Sequence, residues 1–316
     1  MSAETTIPAS SQTPAQPDKL TKKALTADHP TWCPGCGDFA VLSSFYKVLE
    51  KKNLPHENIV TLAGIGCSSR FPYFVNGHGA HFIHGRAVPF SSGVSLSRPD
   101  LHVFVFGGDG DGYSIGGNHL DHGARKNIKL MYVIMDNFVY GLTKKQTSPT
   151  SPIGYKSKTD PTGAIDRPVN PIKKLISNGA TFIARTHATN PAHMIQMMER
   201  GMEHNGFAVI ECLSECVEFY PGAFDAANPR KGGAFNLIDE KKWDGTAEDE
   251  ARHDVTDEVA AFKLANEPFP GLFGVFFDVD RPTKNQLEKK WIDSSREKLA
   301  GKSDLDILQS TFDRMK

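Results

Sequence analysis

The 316-residue sequence predicts an α/β fold: a doubly wound, mostly parallel sheet covered by helices on both faces. Three observations carry that expectation. Short, nearly continuous apolar runs of strand length recur along the chain, and helical stretches separate them. Polar, glycine-containing segments follow directly on several of the runs, at the strand ends where ligands bind in such sheets.

Residues 1–28 are rich in Ser, Thr, Ala and Pro, and read as a flexible N-terminal arm that orders only against a partner. The folded domain is expected over residues 29–220, from His29-Pro30-Thr31-Trp32 onward. Residues 38–51 carry Phe39, Leu42, Phe45 and Leu49 at helical spacing. Residues 58–63 form a β-branched run that stops at Gly64, the pattern of a buried strand. The pattern recurs at 101–106, 130–135, 181–184 and 207–213, with helical stretches at 117–125 and 191–204. Residues 221–316 are expected to be an irregular C-terminal extension packing on the domain or on a partner. Within it, 225–254 reads as a polar surface excursion, 269–280 as a late strand and 284–308 as a charged helical tail.

A formal net charge of −1 gives no field for a nucleic acid or an anionic membrane, and no apolar run approaches bilayer length. Residues 1–20 lack the apolar stretch of a signal peptide, so a cytoplasmic location is expected. An odd number of cysteines, five, then argues against disulfides and towards a metal or cluster role for closely spaced thiols.

The densest chemical signal is Gly108-Asp109-Gly110-Asp111 after one strand, with Asp136-Asn137-Phe138-Val139 after the next. Asp109 offers a carboxylate, Asn137 a side-chain oxygen and Val139 a backbone carbonyl. These are the hard ligands that Mg²⁺ takes when it shares its octahedron with a diphosphate. Gly108 and Gly110 let the backbone approach the phosphates, and Gly141, Leu142 and Thr143 add N–H and hydroxyl donors. Gly-Asp-Gly alone reads as a turn; its place at a strand end, with an Asn at another strand end, points to a site.

Cys33-Pro-Gly-Cys36 is a CxxC, and Cys67 closes Gly64-Ile-Gly-Cys after the first strand. Four thiolates hold either Zn²⁺ or a [4Fe–4S] cluster, and spacing does not separate the two. The fourth thiol is Cys212 or Cys216. Cys212 lies inside a strand, where a small buried thiol is ordinary. Cys216 lies just past that strand, on the same edge as the other motifs.

The strand-end pair resembles the diphosphate-binding motif of thiamine-dependent enzymes, whose usual Asn-Asn is Asp136-Asn137 here. The likeness extends to Gly64-Ile-Gly-Cys67-Ser68, Ile83-His84-Gly85-Arg86, Ile115-Gly-Gly-Asn-His119, Asn137-Phe-Val-Tyr-Gly-Leu-Thr143 and Gln146-Thr-Ser-Pro-Thr150. With these, residues 29–220 resemble the beta subunit of 2-oxoacid:ferredoxin oxidoreductases. The resemblance implies a thiamine-diphosphate-binding fold and the CoA-dependent oxidative decarboxylation of a 2-oxoacid, with electrons leaving to ferredoxin.

It further implies that Gly66, Cys67, Ser68 and His84 border the cofactor together with the residues of the diphosphate motif, Asp111 among them. His84 is then the candidate for binding substrate or assisting proton transfer, and Arg70 and Arg86 for attracting substrate carboxylates. The resemblance also implies Cys216 as the fourth ligand, although the family usually reads Ser-Pro-Cys where this chain has Ser214-Glu215-Cys216. A cluster is expected rather than zinc, because a thiamine site nearby needs an electron acceptor. The motifs look more like those of the 2-oxoglutarate and broad 2-oxoacid enzymes than those of the pyruvate enzymes. The glutamate that activates thiamine is implied to come from an alpha subunit, in an α₂β₂ assembly. Two other readings compete. A non-oxidative thiamine enzyme leaves the cysteines idle, and a Cys₄ zinc-binding interaction module ignores the diphosphate motif.

Overall fold

A computed structural model describes residues 19–242 and 246–315. Its strands are β1 Ile59–Ala63, β2 His78–His81, β3 His102–Gly108, β4 Leu130–Asp136, β5 Phe182–His187, β6 Phe207–Leu213, β7 Asn236–Leu237 and β8 Leu272–Asp278. They form one sheet in the order β2-β1-β3-β4-β6-β5-β8-β7. The strands from β2 to β5 are mutually parallel, β8 runs antiparallel to β5, and β7 lies parallel to β8. The expected doubly wound, mostly parallel sheet is therefore present.

Burial on both faces explains the continuous apolar runs. Every residue of β4 and β6 is buried. Phe104 and Phe106 of β3 face one layer, with the helices Asp38–Lys52 and Pro191–Glu203. Val103 and Val105 face the other, with the helices Ala87–Ser97, Gly117–Lys126 and Pro171–Ser177. Phe45, on the first helix and wholly buried, meets the rings of Phe104 and Phe106 edge-on at 5.1 and 5.0 Å. Burying such a side chain contributes about 1.5–3 kcal/mol. Asn53 stops this helix in the left-handed conformation, returning its N–H to Leu49 O at 2.9 Å.

Three expectations need adjustment. Of the predicted N-terminal arm, residues 1–18 lie outside the described residues, but 19–28 are not an arm. Leu20 and Leu25 are buried, and the Leu20 N–H donates to Asn53 Oδ1 at 2.7 Å. Backbone hydrogen bonds from Ala27 N–H to Phe74 O and from Asn76 N–H to Leu25 O complete the docking. The C-terminal extension does more than cover the domain, because β8 is a strand of the sheet itself. Its tail is two helices, Lys284–Lys298 and Asp304–Arg314, broken at Gly301 (φ +85°) and restarted by a Ser303 capping box.

Candidate functional site

The loops after β1, β3, β4 and β6 converge at the carboxyl edge of the sheet. After β3 the chain makes a single wide helical turn, Gly110–Ile115, before the helix Gly117–Lys126. A side chain on Gly110 would fall inside the Tyr140 ring. Its glycine therefore admits the β4 loop, whatever room it also leaves for phosphates. A Cβ on Gly108 would stand 3.0 Å from Ser68 Oγ, so the β1 and β3 loops touch there.

Asp109 is buried and accepts a hydrogen bond from Thr150 Oγ1 at 2.7 Å. The same hydroxyl lies 2.8 Å from Asp136 Oδ1. One hydroxyl has one proton and cannot donate to both carboxylates. Burial raises the Asp109 carboxyl; burial, then the charge of Asp109, holds Asp136 well above the usual range. Asp136 Oδ2 makes no hydrogen bond, and no basic side chain pairs with either acid among the described residues. A pair of buried carboxyls without a counter-charge fits a divalent cation. Asn137 and Val139 stand beside it, with Asn137 Oδ1 accepting the Val139 N–H at 3.1 Å. The expected Mg²⁺ set contains a single acid, and among the described residues no group of three or more His, Cys, Asp or Glu converges on one ion. The remaining ligands would have to be amide, carbonyl and phosphate oxygens.

Asp111, expected at the cofactor, serves as a hub for the loops. Its Oδ1 accepts from Ile65 N–H at 3.0 Å and Gly85 N–H at 2.8 Å, and lies 2.9 Å from His84 Nδ1. Gly85 needs its positive φ of +71° to present that N–H. His84 Nδ1 also lies 3.1 Å from Ile65 O. Two acceptors at Nδ1 place the proton there and leave Nε2 free. The hydrogen bond to Asp111 is the main cause that raises the His84 pKa. Among the described residues, Arg86 makes only 3.5 Å contacts, to the carbonyls of His84 and Gly85.

Cys33, Cys36, Cys67 and Cys216 come from three loops that are tied together, but among the described residues no three of these thiols form a ready-made metal group. Trp32 Nε1 donates to Cys67 O at 2.7 Å, and Gly37 N–H to Glu215 O at 3.2 Å. Ser214 Oγ donates to Asp38 Oδ1 at 2.7 Å. Burial, then the nearby Asp38, raises the Cys36 thiol, and Cys216 and Cys67 stand near enough to raise it further. Burial, then Asp38, pushes the Cys67 thiol up to about 12, so in the absence of a metal it is protonated. A Cβ on Gly141 would lie 3.5 Å from Cys216 Sγ and 3.7 Å from Cys67 Sγ. Gly141 thus sits between the diphosphate motif and the thiols. Leu142 and Thr143 are exposed, Thr143 bonding Gln146. Cys212 is apart from all of this. It is fully buried in β6, with Sγ 3.6 Å from Met194 Sδ.

Sequence reasoning did not assign Thr150, Trp32 or the Asp38–Ser214 link to the site. Each acts through a contact between segments distant in the chain; only the Gln146–Thr150 stretch carried a motif signal.

Residues 64–212 match the family model described as "Thiamine pyrophosphate enzyme, C-terminal TPP binding domain". The chain is 44% identical over 220 residues to the 2-oxoglutarate oxidoreductase subunit KorB of Mycobacterium tuberculosis, spanning 69% of this chain and 58% of that protein. It is 41% identical to the 2-oxoglutarate synthase subunit KorB of Methanocaldococcus jannaschii, over 60% of this chain and 70% of the relative. To the 2-oxoacid:ferredoxin oxidoreductase 1, subunit beta, of Aeropyrum pernix it is 39% identical, over 82% and 80%. Among solved structures it resembles the 2-oxoglutarate:ferredoxin oxidoreductase from Magnetococcus marinus with 2-oxoglutarate, coenzyme A and succinyl-CoA bound. That likeness has a TM-score of 0.82 at 35% identity and covers 94% of this chain and 97% of the other. Identity at this level along most of two relatives and of a solved chain admits one conclusion: this chain belongs to the beta-subunit family of the 2-oxoacid:ferredoxin oxidoreductases.

Proposed function

We propose that this chain is the thiamine-diphosphate and [4Fe–4S] subunit of a cytoplasmic enzyme that oxidatively decarboxylates 2-oxoglutarate to acyl-CoA and CO₂ and reduces ferredoxin. It works with an alpha subunit in an α₂β₂ assembly. The observation that carries the reading is the uncompensated Asp109–Thr150–Asp136 group, with Gly141 joining its neighbourhood to the thiols.

Asp109, Asn137 and Val139 would hold Mg²⁺, and Gly108, Gly110, Gly141, Leu142 and Thr143 would flank the diphosphate. Gly66, Cys67 and Ser68 border the same space from the β1 side. Asp111 fixes the His84 ring, and Nε2 is the atom at which that ring binds substrate or holds a proton. Cys33, Cys36, Cys67 and Cys216 would ligate the cluster. Thiamine diphosphate, when bound, supplies carbanion chemistry and an electron sink; a cluster supplies a tunable one-electron acceptor. Coenzyme A and 2-oxoglutarate are supported by the ligands named for the Magnetococcus enzyme and by the names of the KorB relatives.

The test is to purify the two-subunit complex, measure iron, acid-labile sulfide and thiamine diphosphate, and assay 2-oxoglutarate, pyruvate and branched-chain 2-oxoacids with a viologen acceptor. Iron and sulfide in about four equivalents per chain, with 2-oxoglutarate preferred, is expected. Zinc in place of iron would overturn the cluster assignment, and a preference for another acid would overturn the substrate.

A further inference from the structure

A cavity of about 420 Å³ is lined in part by Asp136 and Thr150, the two neighbours of Asp109, while Asp109 itself and the other residues assigned above to the cofactor, its metal or the thiols do not line it. At its base Arg185 of β5 donates through Nε to Glu211 Oε2 of β6 at 2.7 Å. The Arg185 side chain is 14% exposed, and its guanidinium lies 5.6 Å over the Phe276 ring. Its terminal amino groups, which carry four of the five guanidinium donors, have no hydrogen-bond partner among the described residues. They are not sealed from solvent, so water satisfies them when the cavity is empty and an anion in the cavity can take the place of that water.

The surroundings suit an anion. Arg167 also lines the cavity, as does Lys173, whose ammonium bonds Asn266 Oδ1, and of the acids Glu211 already faces Arg185 Nε. The other lining acids are Asp136, whose Oδ1 accepts from Phe138 N–H while Oδ2 makes no hydrogen bond, and the exposed Glu267. Phe138 and Phe269, 5.8 Å apart in an edge arrangement, supply apolar wall. A planar guanidinium fork with free ends matches a carboxylate or phosphate head, and the aromatic wall matches an apolar body.

We propose that this cavity is a separate site for a small organic anion, headed by a carboxylate or phosphate and carrying an apolar body, and that its occupancy is coupled to Asp109. The link is short. Thr150 lines the cavity and donates to Asp109 Oδ2 at 2.7 Å, and Asp136 lines it and shares the same hydroxyl. A ligand that moves either residue changes the affinity of Asp109 for its cation, and the cation changes the ligand's affinity by the same factor. The coupling rests on the reading of Asp109 as a Mg²⁺ ligand; the binding site does not.

The experiment uses the two-subunit holoenzyme and three probes: benzoate, phenyl phosphate and inorganic phosphate. Binding is read by ligand-observed NMR, independently of turnover. An organic probe should bind more tightly than inorganic phosphate, and whether benzoate or phenyl phosphate wins identifies the head group. Arg185→Lys keeps a charge for Glu211 but removes the fork, and Ala223→Leu fills the cavity while sparing the ion pair. Each should weaken binding about tenfold or more. Saturating probe should shift the Mg²⁺ concentration that half-restores bound thiamine diphosphate, by about threefold or more. No binding of either organic probe, or wild-type binding in both variants, overturns the site. Displacement of the probe by coenzyme A assigns the cavity to the acyl acceptor and overturns its separateness. Binding with an unmoved Mg²⁺ midpoint overturns the coupling.

Discussion

His84 Nδ1 stands 2.9 Å from Asp111 Oδ1, and that contact sets both the tautomer and the basicity of the ring. Asp111→Asn keeps the shape but removes the charge, so the His84 pKa should fall towards or below its ordinary value. The charged-ring contact stabilises the folded state below the unfolded histidine pKa and is lost as pH rises through the raised folded pKa. NMR titration of the imidazole in wild type and variant checks this. A pKa unchanged by the substitution would show that Asp111 does not govern the ring.

Thr150→Val should weaken thiamine diphosphate retention even though Thr150 is not expected to touch the cofactor. The variant strips the hydroxyl that separates Asp109 from Asp136. Asp109→Ala should lose the cofactor on desalting, and Thr150→Val should raise the Mg²⁺ requirement about tenfold, the effect of one charge-assisted hydrogen bond. Cofactor content after gel filtration at graded Mg²⁺ is the measurement. Retention like wild type in Asp109→Ala would count against the metal site.

Replacing Cys216 by Ser should abolish or destabilise the brown chromophore, whereas Cys212→Ala should keep it. Cys212 is packed in β6 against Met194, so its loss should cost only about 1 kcal/mol of stability. Visible absorbance and denaturant midpoints of the two variants separate these outcomes. An essential Cys212 would reverse the assignment.

Acid should destabilise the fold through His187 and His193. Burial lowers both to about 4, against an ordinary value near 6.5. Between those values the unfolded chain binds protons that the folded chain does not. The stability they support is therefore complete above about pH 6.5 and lost as pH falls towards 4. Asp38, raised to about 6 by burial, acts in the opposite sense. The informative quantity is thus the difference between wild type and a His187→Gln, His193→Gln double variant. Urea midpoints at pH 7.5 and 5 should converge in the variant, and an unchanged gap would refute the assignment.

The strands were legible because the sheet buries both faces, which makes β4 and β6 wholly buried and largely apolar. β2 was not, because His78–His81 is a polar edge strand that borrows its register from β1. Asp109, Asn137 and the four thiols stood out because strand ends and short spacings mark them along the chain. Thr150 did not stand out as part of that site: its hydroxyl reaches an acid 41 residues away, and no local pattern encodes that contact. Arg185 and Glu211 interrupt two apolar strands, and only the β5–β6 register reveals that they face each other.

The antiparallel seat of β8 has a consequence for biosynthesis. β5 ends at His187, and the strand that covers its outer edge begins only at Leu272. At about 5–20 residues per second, that edge emerges from the ribosome on the order of ten seconds before its cover. During that interval the nascent chain exposes a row of unpaired backbone groups able to template on a neighbouring chain. A stop codon between Cys216 and β8 would make that interval permanent, even though every residue assigned to the cofactor and the thiols would already have been made.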